Sequence, residues 1–260
     1  VSNVFCTEEA NQMIIMKTME EIEKMRAAGK ILAECHRQIA GIIQPGITTW
    51  EIDEFAEKFI LSQGATPEQK GYHGYPYATC ASVNDVICHG FPKKEPLKDG
   101  DIVTVDMVVN LNGWLADSAW SYGVGNISEQ AQKLLDVTKD SLFKGIEQAV
   151  AGNRIGDVAH AIQSYAESNG FSVVRDFIGH GIGSEMHEKP DVPSYGPAGK
   201  GPRLKEGMVF TIEPMLNTGS YRTKVDADGW TARTIDGGLS AQYEHTLAIT
   251  PEGTVILTQL

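Results

Sequence analysis

The feature that most constrains this chain is that it repeats itself. Thr18 and Glu21 have capping-box spacing, and Ile22, Met25, Leu32, His36 and Ile39 then recur at helical intervals, which predicts a long helix over about 19–43. Pro45-Gly46 breaks it. Thr48 and Glu51 form a second box, and Ile52, Phe55 and Phe59 mark a second helix ending near Gly64. About 106 residues later the order returns: a helix over about 129–150, a break at Gly152 and a helix over about 157–170. The matching pairs are Gly46/Gly152, Glu51/Asp157, Ile52/Val158, Phe59/Tyr165, Ser62/Ser168 and Gly64/Gly170. A second echo, at an offset of 107, matches Leu97-Lys98-Asp99-Gly100 and the run Ile102 to Asp106 with Leu204-Lys205-Glu206-Gly207 and the run Val209 to Glu213. Two echoes at nearly one offset imply two similar halves.

The halves are expected at about 13–125 and 126–260, together one domain spanning 13–260, after a short N-terminal tail at 1–12. In each half strands follow helices rather than alternating with them. That order favours an α+β fold, a duplicated pseudo-twofold arrangement with an antiparallel sheet covered by helices, over a doubly wound parallel sheet. A rotation relating the halves gives Asp106 and Glu213 equivalent places, converging near the axis between them.

Segment 101–109 alternates as a strand, Asn112-Gly113 is a hairpin turn signal, and Trp114 to Trp120 can return as its partner. With the loop at 111–112, Asp106 faces Asp117 directly; with the loop at 112–113 the two are diagonal neighbours on one face. Either register crowds two carboxylates, which a cation would offset; the alternative is that both point to solvent at a sheet edge. Glu213 closes the apolar run Val209 to Ile212 and precedes Pro214, so it needs a partner. Glu244 interrupts another strand-like stretch, Leu239 to Ile249, and His180 sits among glycines in Gly179-His180-Gly181-Ile182-Gly183. Four carboxylates and one imidazole suit two divalent ions of Mn, Fe, Co or Zn, whose charge offsets the four acids.

These motifs, with Phe210-Thr211-Ile212-Glu213-Pro214-Met215, Ser240 to His245, Gly71-Tyr72-His73-Gly74-Tyr75-Pro76 and Cys88-His89-Gly90, resemble the methionine aminopeptidases from about Met16 onward. The resemblance implies the duplicated pita-bread fold of that family and a catalytic domain over 13–260. It also implies two metal ions held by Asp106, Asp117, His180, Glu213 and Glu244, with Asp117 and Glu244 bridging both ions, Asp106 completing one shell, and His180 and Glu213 the other. In the implied reaction a metal-bridging hydroxide attacks the scissile carbonyl, an ion pair about 3.5–4 Å apart having made the water acidic. Glu213 shuttles its proton, and His89 and His187 contact the peptide amide and the developing oxyanion. The substrate side chain is expected against Tyr72, His73, Tyr75, Cys80 and Trp230, with His89, Met186 and His187 beside it. The substrates implied are the N-terminal methionine of nascent chains and Met-peptides with a small second residue.

Two positions depart from the family's pattern: Met186 stands where Phe is usual and Gln69 where Cys is familiar. Proline-directed peptidases of the same fold carry a second His four residues before the metal-binding one; here that residue is Asp176. The short spacing from His187 to Glu213 matches the type I class, and the lack of a zinc-binding extension matches its bacterial form. The rival readings are a dinuclear exopeptidase acting before proline, and a catalytically dead relative that binds proteins. Taken alone, His187 and His89 read as ordinary histidines and the pocket aromatics as core. His36 and His160 lie on helical patterns and read as structural, and His245 is expected to point away from the Glu244 face.

Composition narrows the partners. Lys and Arg total 22 against 34 Asp and Glu, and the net charge of −12 argues against nucleic acid or an anionic membrane as the main partner. Cys6, Cys35, Cys80 and Cys88 lack metal-finger spacing and fit reduced thiols. Neither a signal peptide nor a membrane span is recognisable, so a cytoplasmic monomer, with transient ribosome contact allowed by the resemblance, is expected.

Overall fold

The computed structural model describes residues 13–260, so the tail expected over 1–12 lies outside the described residues. The first half carries α1 (Met19–Ile42), α2 (Thr49–Ser62), β1 (Thr66–Pro67), β2 (Cys80–Val83), β3 (Val86–Cys88), β4 (Ile102–Leu111) and β5 (Trp114–Gly123). The second half opens with α3 (Glu129–Gln148), α4 (Ile155–Ser168), β6 (Ser172–Val173), β7 (Gly179–Gly181) and β8 (Glu188–Val192). It continues with β9 (Val209–Ile212), β10 (Met215–Asn217), β11 (Thr223–Val225), β12 (Ala232–Thr234), β13 (Ser240–Gln242), β14 (His245–Thr250) and β15 (Gly253–Ile256). Every strand pairing among the described residues is antiparallel. The helices start as their capping residues dictate: Thr18 and Glu21 satisfy each other's backbone at α1, and Thr48 and Glu51 do so at α2. At α4 the Asp157 carboxylate accepts from the Arg154 backbone N–H at 2.7 Å, but an arginine side chain cannot return the bond, so only half of the box exists.

The repeat is visible bond by bond. Gly46 N–H donates to Leu97 O at 2.8 Å, and Gly152 N–H to Leu204 O at 3.0 Å. Trp50 N–H reaches Lys93 O at 3.0 Å, and Gly156 N–H reaches Lys200 O at 2.9 Å. Glu68 N–H bonds Val108 O as Val174 N–H bonds Met215 O. Gly46 and Gly152 share a left-handed backbone, with φ of 100° and 97°, which an L side chain would strain. Each half has its own apolar core. One gathers Leu32, Ile52, Ile60, Val103 and Val105; the other gathers Leu134, Val158, Ile162, Phe210 and Leu247.

The halves differ where their strands meet the axis. In the first half β4 and β5 form an unbroken hairpin of ten pairs, ending at Leu111 opposite Trp114. Its loop is Asn112-Gly113, both at positive φ, 54° and 86°, as a tight hairpin turn that follows the strand twist requires. In the second half the corresponding strands are each cut in two: β9 and β10 are separated at Glu213-Pro214, and β13 and β14 at Tyr243-Glu244. The single strand expected through Glu244 is therefore two strands in different sheets. Pro214 has no N–H to offer the ladder, and the Glu244 N–H instead donates to Ala119 O of the other half at 2.8 Å.

That bond belongs to a seam in which side chains join the two halves. Asp117 N–H donates to Thr246 Oγ1 at 3.0 Å, and the same hydroxyl donates to Asp117 O at 2.8 Å. Ser118 Oγ donates to Glu244 O, Ser121 Oγ to Gln242 O, and Tyr243 OH to Ser121 O. Among the described residues no helix is long and apolar enough to cross a membrane.

Candidate metal centre

Asp106 and Asp117 come from the hairpin in the second of its two possible registers. Asp117 lies opposite Val108, and Asp106 opposite Ala119, so the acids are diagonal neighbours on one face. Glu213 and Glu244 come from the two strand breaks, where the chain leaves the ladder and turns its side chain inward. His180 comes from β7, held by its own backbone N–H to Thr211 Oγ1 at 3.0 Å.

These five side chains converge. Ligand atoms of Asp117, His180 and Glu244 all lie within 4.8 Å of one another. His180 Nε2 is 3.6 Å from Asp117 Oδ2 and 3.7 Å from Glu213 Oε1. Asp106 adjoins Asp117, and Glu213 adjoins Glu244. Burial, then mutual repulsion, holds the Asp106, Glu213 and Glu244 carboxyls well above the usual carboxylate range, and burial lifts Asp117 to about 7. Burial likewise lowers His180 to about 4, so its ring is neutral near pH 7.

The donor set fits divalent cations. His180 Nδ1 lies 2.9 Å from Gly181 O, which can only accept, so Nδ1 carries the proton and Nε2 offers its lone pair toward the acids. Asp117 Oδ1 and Glu244 Oε1 are buried and have no hydrogen-bond partner. A buried carboxylate oxygen without a partner costs about 1–3 kcal/mol or more, and a cation is the partner such an atom calls for.

Around this centre stand the remaining expected residues. His187 has its ring centroid 4.3 Å from that of His180, and its Nδ1 is 2.8 Å from Tyr72 OH. His73 packs edge-on to Tyr72, with ring centroids 4.3 Å apart. His89, at φ 55°, stands edge-on to Phe177 at 5.3 Å and to Trp230 at 6.2 Å; burial, then His187, lowers it to about 4. Tyr75 packs edge-on to Trp230 at 5.1 Å, and its hydroxyl lies 3.0 Å from both Thr79 O and Gly90 O. Cys80 is buried opposite Asp106 on β2, and burial pushes its thiol well up. Met186 lies in an apolar cluster with Ile22, Met25, Val108 and Leu115, Tyr72 packing against it.

Two residues of the site escaped the sequence reading. Thr211 accepts from the His180 backbone and donates to Glu213 Oε1 at 3.0 Å, tying two donors together; its signal was a lone hydroxyl two positions before Glu213 in an apolar run. Phe177 walls His89 from a loop that carries no periodicity. The histidines read as structural are elsewhere: His36 bonds Tyr122 OH and Ser118 O, His160 is exposed, and His245 faces Trp120 and Phe143 with Nδ1 on Thr258 Oγ1.

Residues 23–251 match the model of metallopeptidase family M24. The methionine aminopeptidase of Clostridium perfringens is 56% identical over 95% of this chain and 99% of its own length. Methionine aminopeptidase 1 of Bacillus subtilis is 52% identical over 95% of this chain and 100% of its own. The crystal structure of methionine aminopeptidase from Thermotoga maritima superposes with a TM-score of 0.94 at 45% identity, covering 95% of this chain and 100% of that one. The prolidase of Pyrococcus furiosus, at 24% identity and a TM-score of 0.77 over 95% of this chain and 66% of that one, shares the fold alone.

Proposed function

The chain belongs to metallopeptidase family M24, in its methionine aminopeptidase branch with the pita-bread fold, and on that premise we propose that it removes N-terminal methionine from nascent proteins and Met-peptides whose second residue is small. The observation that carries the reading is the convergence of Asp106, Asp117, His180, Glu213 and Glu244 with two buried, partnerless carboxylate oxygens among them. Those spare oxygens are on Asp117 and Glu244, so each of these acids would have a free oxygen to offer a cation. We propose a pair of divalent ions, of Co, Mn, Fe or Zn. When bound, the ions polarise a carbonyl and make a water acidic enough to ionise near neutral pH.

The chain's own groups do the rest. Glu213 takes the proton of the attacking water and returns it to the leaving amine; Thr211 fixes the carboxylate for that role. His89, neutral and wedged between Phe177 and Trp230, orients the scissile amide. His187, held by Tyr72 beside His180, donates toward the oxygen on which charge develops. Tyr75, Cys80 and Trp230 give an unbranched thioether an apolar, soft-edged wall, with Tyr72, His73 and Met186 behind it.

Cleavage of Met-Ala-Ser and of Xaa-Pro peptides by chelated protein, with and without added Mn²⁺, Co²⁺ or Fe²⁺, tests the proposal. Methionine release that depends on added metal is expected. Cleavage confined to Xaa-Pro would overturn the substrate assignment. The Xaa-Pro reading gains no support from position 176, where Asp176 is engaged by the Thr223 hydroxyl. The work would be done in the cytoplasm, on chains leaving the ribosome.

A further inference from the structure

The outer edge of β4 is shared by two short strands that do not meet. β2 serves it from Val103 to Asp106, and β1 serves it at Val109 and Asn110. After Glu68 N–H has bonded Val108 O at 2.9 Å, the chain turns away, because Lys70 N–H goes back to Pro67 O and Tyr72 N–H to Gln69 O. The main chain of β1 therefore leaves the Val108 N–H without a strand opposite, just beyond the Asp106 carbonyl, where the pairing with Cys80 of β2 ends. Both lie on the edge that carries a metal donor.

The Gln69 side chain fills that gap. Its Oε1 accepts from Val108 N–H at 2.6 Å, and its Nε2 donates to Asp106 O at 3.2 Å and approaches Cys80 Sγ at 3.3 Å. A carboxamide offers one acceptor and two donors in a plane, as a peptide unit offers one of each, so it can continue a ladder where the main chain has departed. Gln69 is buried, with 6% of its surface exposed, so these bonds do not compete with solvent.

The geometry points to Gln69 as a positioning residue: a side-chain amide that continues the β4 ladder across the gap between β1 and β2, setting where Asp106 stands and holding the Cys80 thiol. The counterpart in the second half shows that the fold itself does not demand this. Gln69 corresponds to Arg175, which is exposed and stacks on Tyr221 at 4.1 Å and Tyr195 at 5.4 Å, and there the strand is broken at Glu213-Pro214. A continuous strand through the donor position goes with a bridging amide; a broken strand goes without one.

The assignment rests on Asp106 being a metal donor, and the test separates the two claims. Full-length wild type, Gln69→Met and Gln69→Asn would be chelated and titrated with Mn²⁺ by calorimetry; Met keeps the volume without the amide, and Asn keeps the amide one methylene short. Circular dichroism of the metal-free proteins is expected to change little and their melting to fall by a few degrees, because the Val108 N–H loses its partner, while Mn²⁺ affinity falls about 10–100-fold in both variants, the range for groups that orient a metal's ligands. Cys80 in the variants should also be alkylated faster by iodoacetamide, followed by mass spectrometry. Mn²⁺ affinity within twofold of wild type in a folded Gln69→Met would overturn the assignment and leave the metal reading intact. Loss of the fold in both variants would reduce Gln69 to a stability role and overturn it as well. Failure of the wild type itself to bind Mn²⁺ would remove the metal reading and the positioning role together.

Discussion

The two halves follow one path and reach the centre differently. In the first, Asp106 and Asp117 sit at regular pleat positions of an unbroken hairpin, and their separation follows from its register. In the second, Glu213 and Glu244 stand at breaks, opposite one another by the register that flanks them, Ile212 facing His245 and Met215 facing Gln242. A continuous strand fixes donors through its ladder; a broken one frees backbone, so that Glu244 can bond across the seam and Pro214 can interrupt. One half supplies a rigid pair of acids, and the other supplies acids whose placement depends on contacts with its neighbour.

The largest expected effect tests whether equivalent positions do equivalent work. Glu213→Gln should keep its circular dichroism and lose about 10²–10⁴-fold in kcat, the range for a proton-transfer group, at any metal concentration. Asp106→Asn should weaken metal binding, and excess Mn²⁺ should recover much of its activity. Equal recovery in both would show that Glu213 is a ligand only, and the contrast between halves would collapse.

Next comes the dependence of stability on pH. In the metal-free protein the folded Asp117 holds its proton to about 7, whereas its ordinary value is 3.8, and burial raises Asp106, Glu213 and Glu244 in the same sense. Four buried histidines act in the opposite sense, His36 being lowered to about 3 and His89, His180 and His245 to about 4, so below about pH 6.5 the unfolded chain binds protons there that the folded one does not. Above about pH 6.5 the raised acids act alone, the folded state binds more protons than the unfolded one, and stability falls as pH rises. Melting of chelated protein should be lower at about pH 8 than at about pH 6.5. Saturating Mn²⁺, at about 100 times its Kd, should add about 2.7 kcal/mol, and more of the rescue should appear at the higher pH. A flat profile without metal would contradict the raised acids.

Smaller effects probe the repeat itself. A Cβ on Gly156 would lie 2.5 Å from Pro197 O and 2.7 Å from Lys200 O, whereas the equivalent position in the first half is Trp50. Gly156→Ala should cost about 1–3 kcal/mol by overpacking, seen as a lower melting temperature. Gly46→Ala and Gly152→Ala meet no neighbour within 4 Å and should each lose about 1–2 kcal/mol through backbone strain alone, by closely similar amounts. Smallest of all is the cap: Thr48→Ala should cost about 1 kcal/mol in a denaturant titration, and Arg154→Ala should lose no cap bond, because there is none to lose.

What could be read from the sequence was what local chemistry decides. The capping boxes, the paired glycines and the Asn112-Gly113 turn act over a few residues, and all stand where their spacing put them. Hairpin pairing brought Asp106 and Asp117 together in either register, but only tertiary contact selects one. The break at Tyr243-Glu244 was hidden, because both residues suit a strand and the cause lies elsewhere: Pro214 opposite, and Ala119 across the seam. The roles of Thr211 and Gln69 were unreadable for the same reason. Each depends on at least one partner 31 to 39 residues away.

The seam also sets an order of events in the life of the chain. Asp117 is clasped by a hydroxyl from Thr246, 129 residues further on. At a synthesis rate of roughly 5–20 residues per second, that residue is added about 6–26 seconds later. Glu244 belongs to the same late segment. Until then the first half can form its hairpin and hold its two acids, but the enclosure around them has no far wall. The centre is therefore among the last parts of the molecule to be completed, and a chain cut short of its final strands carries a folded scaffold without a working interior.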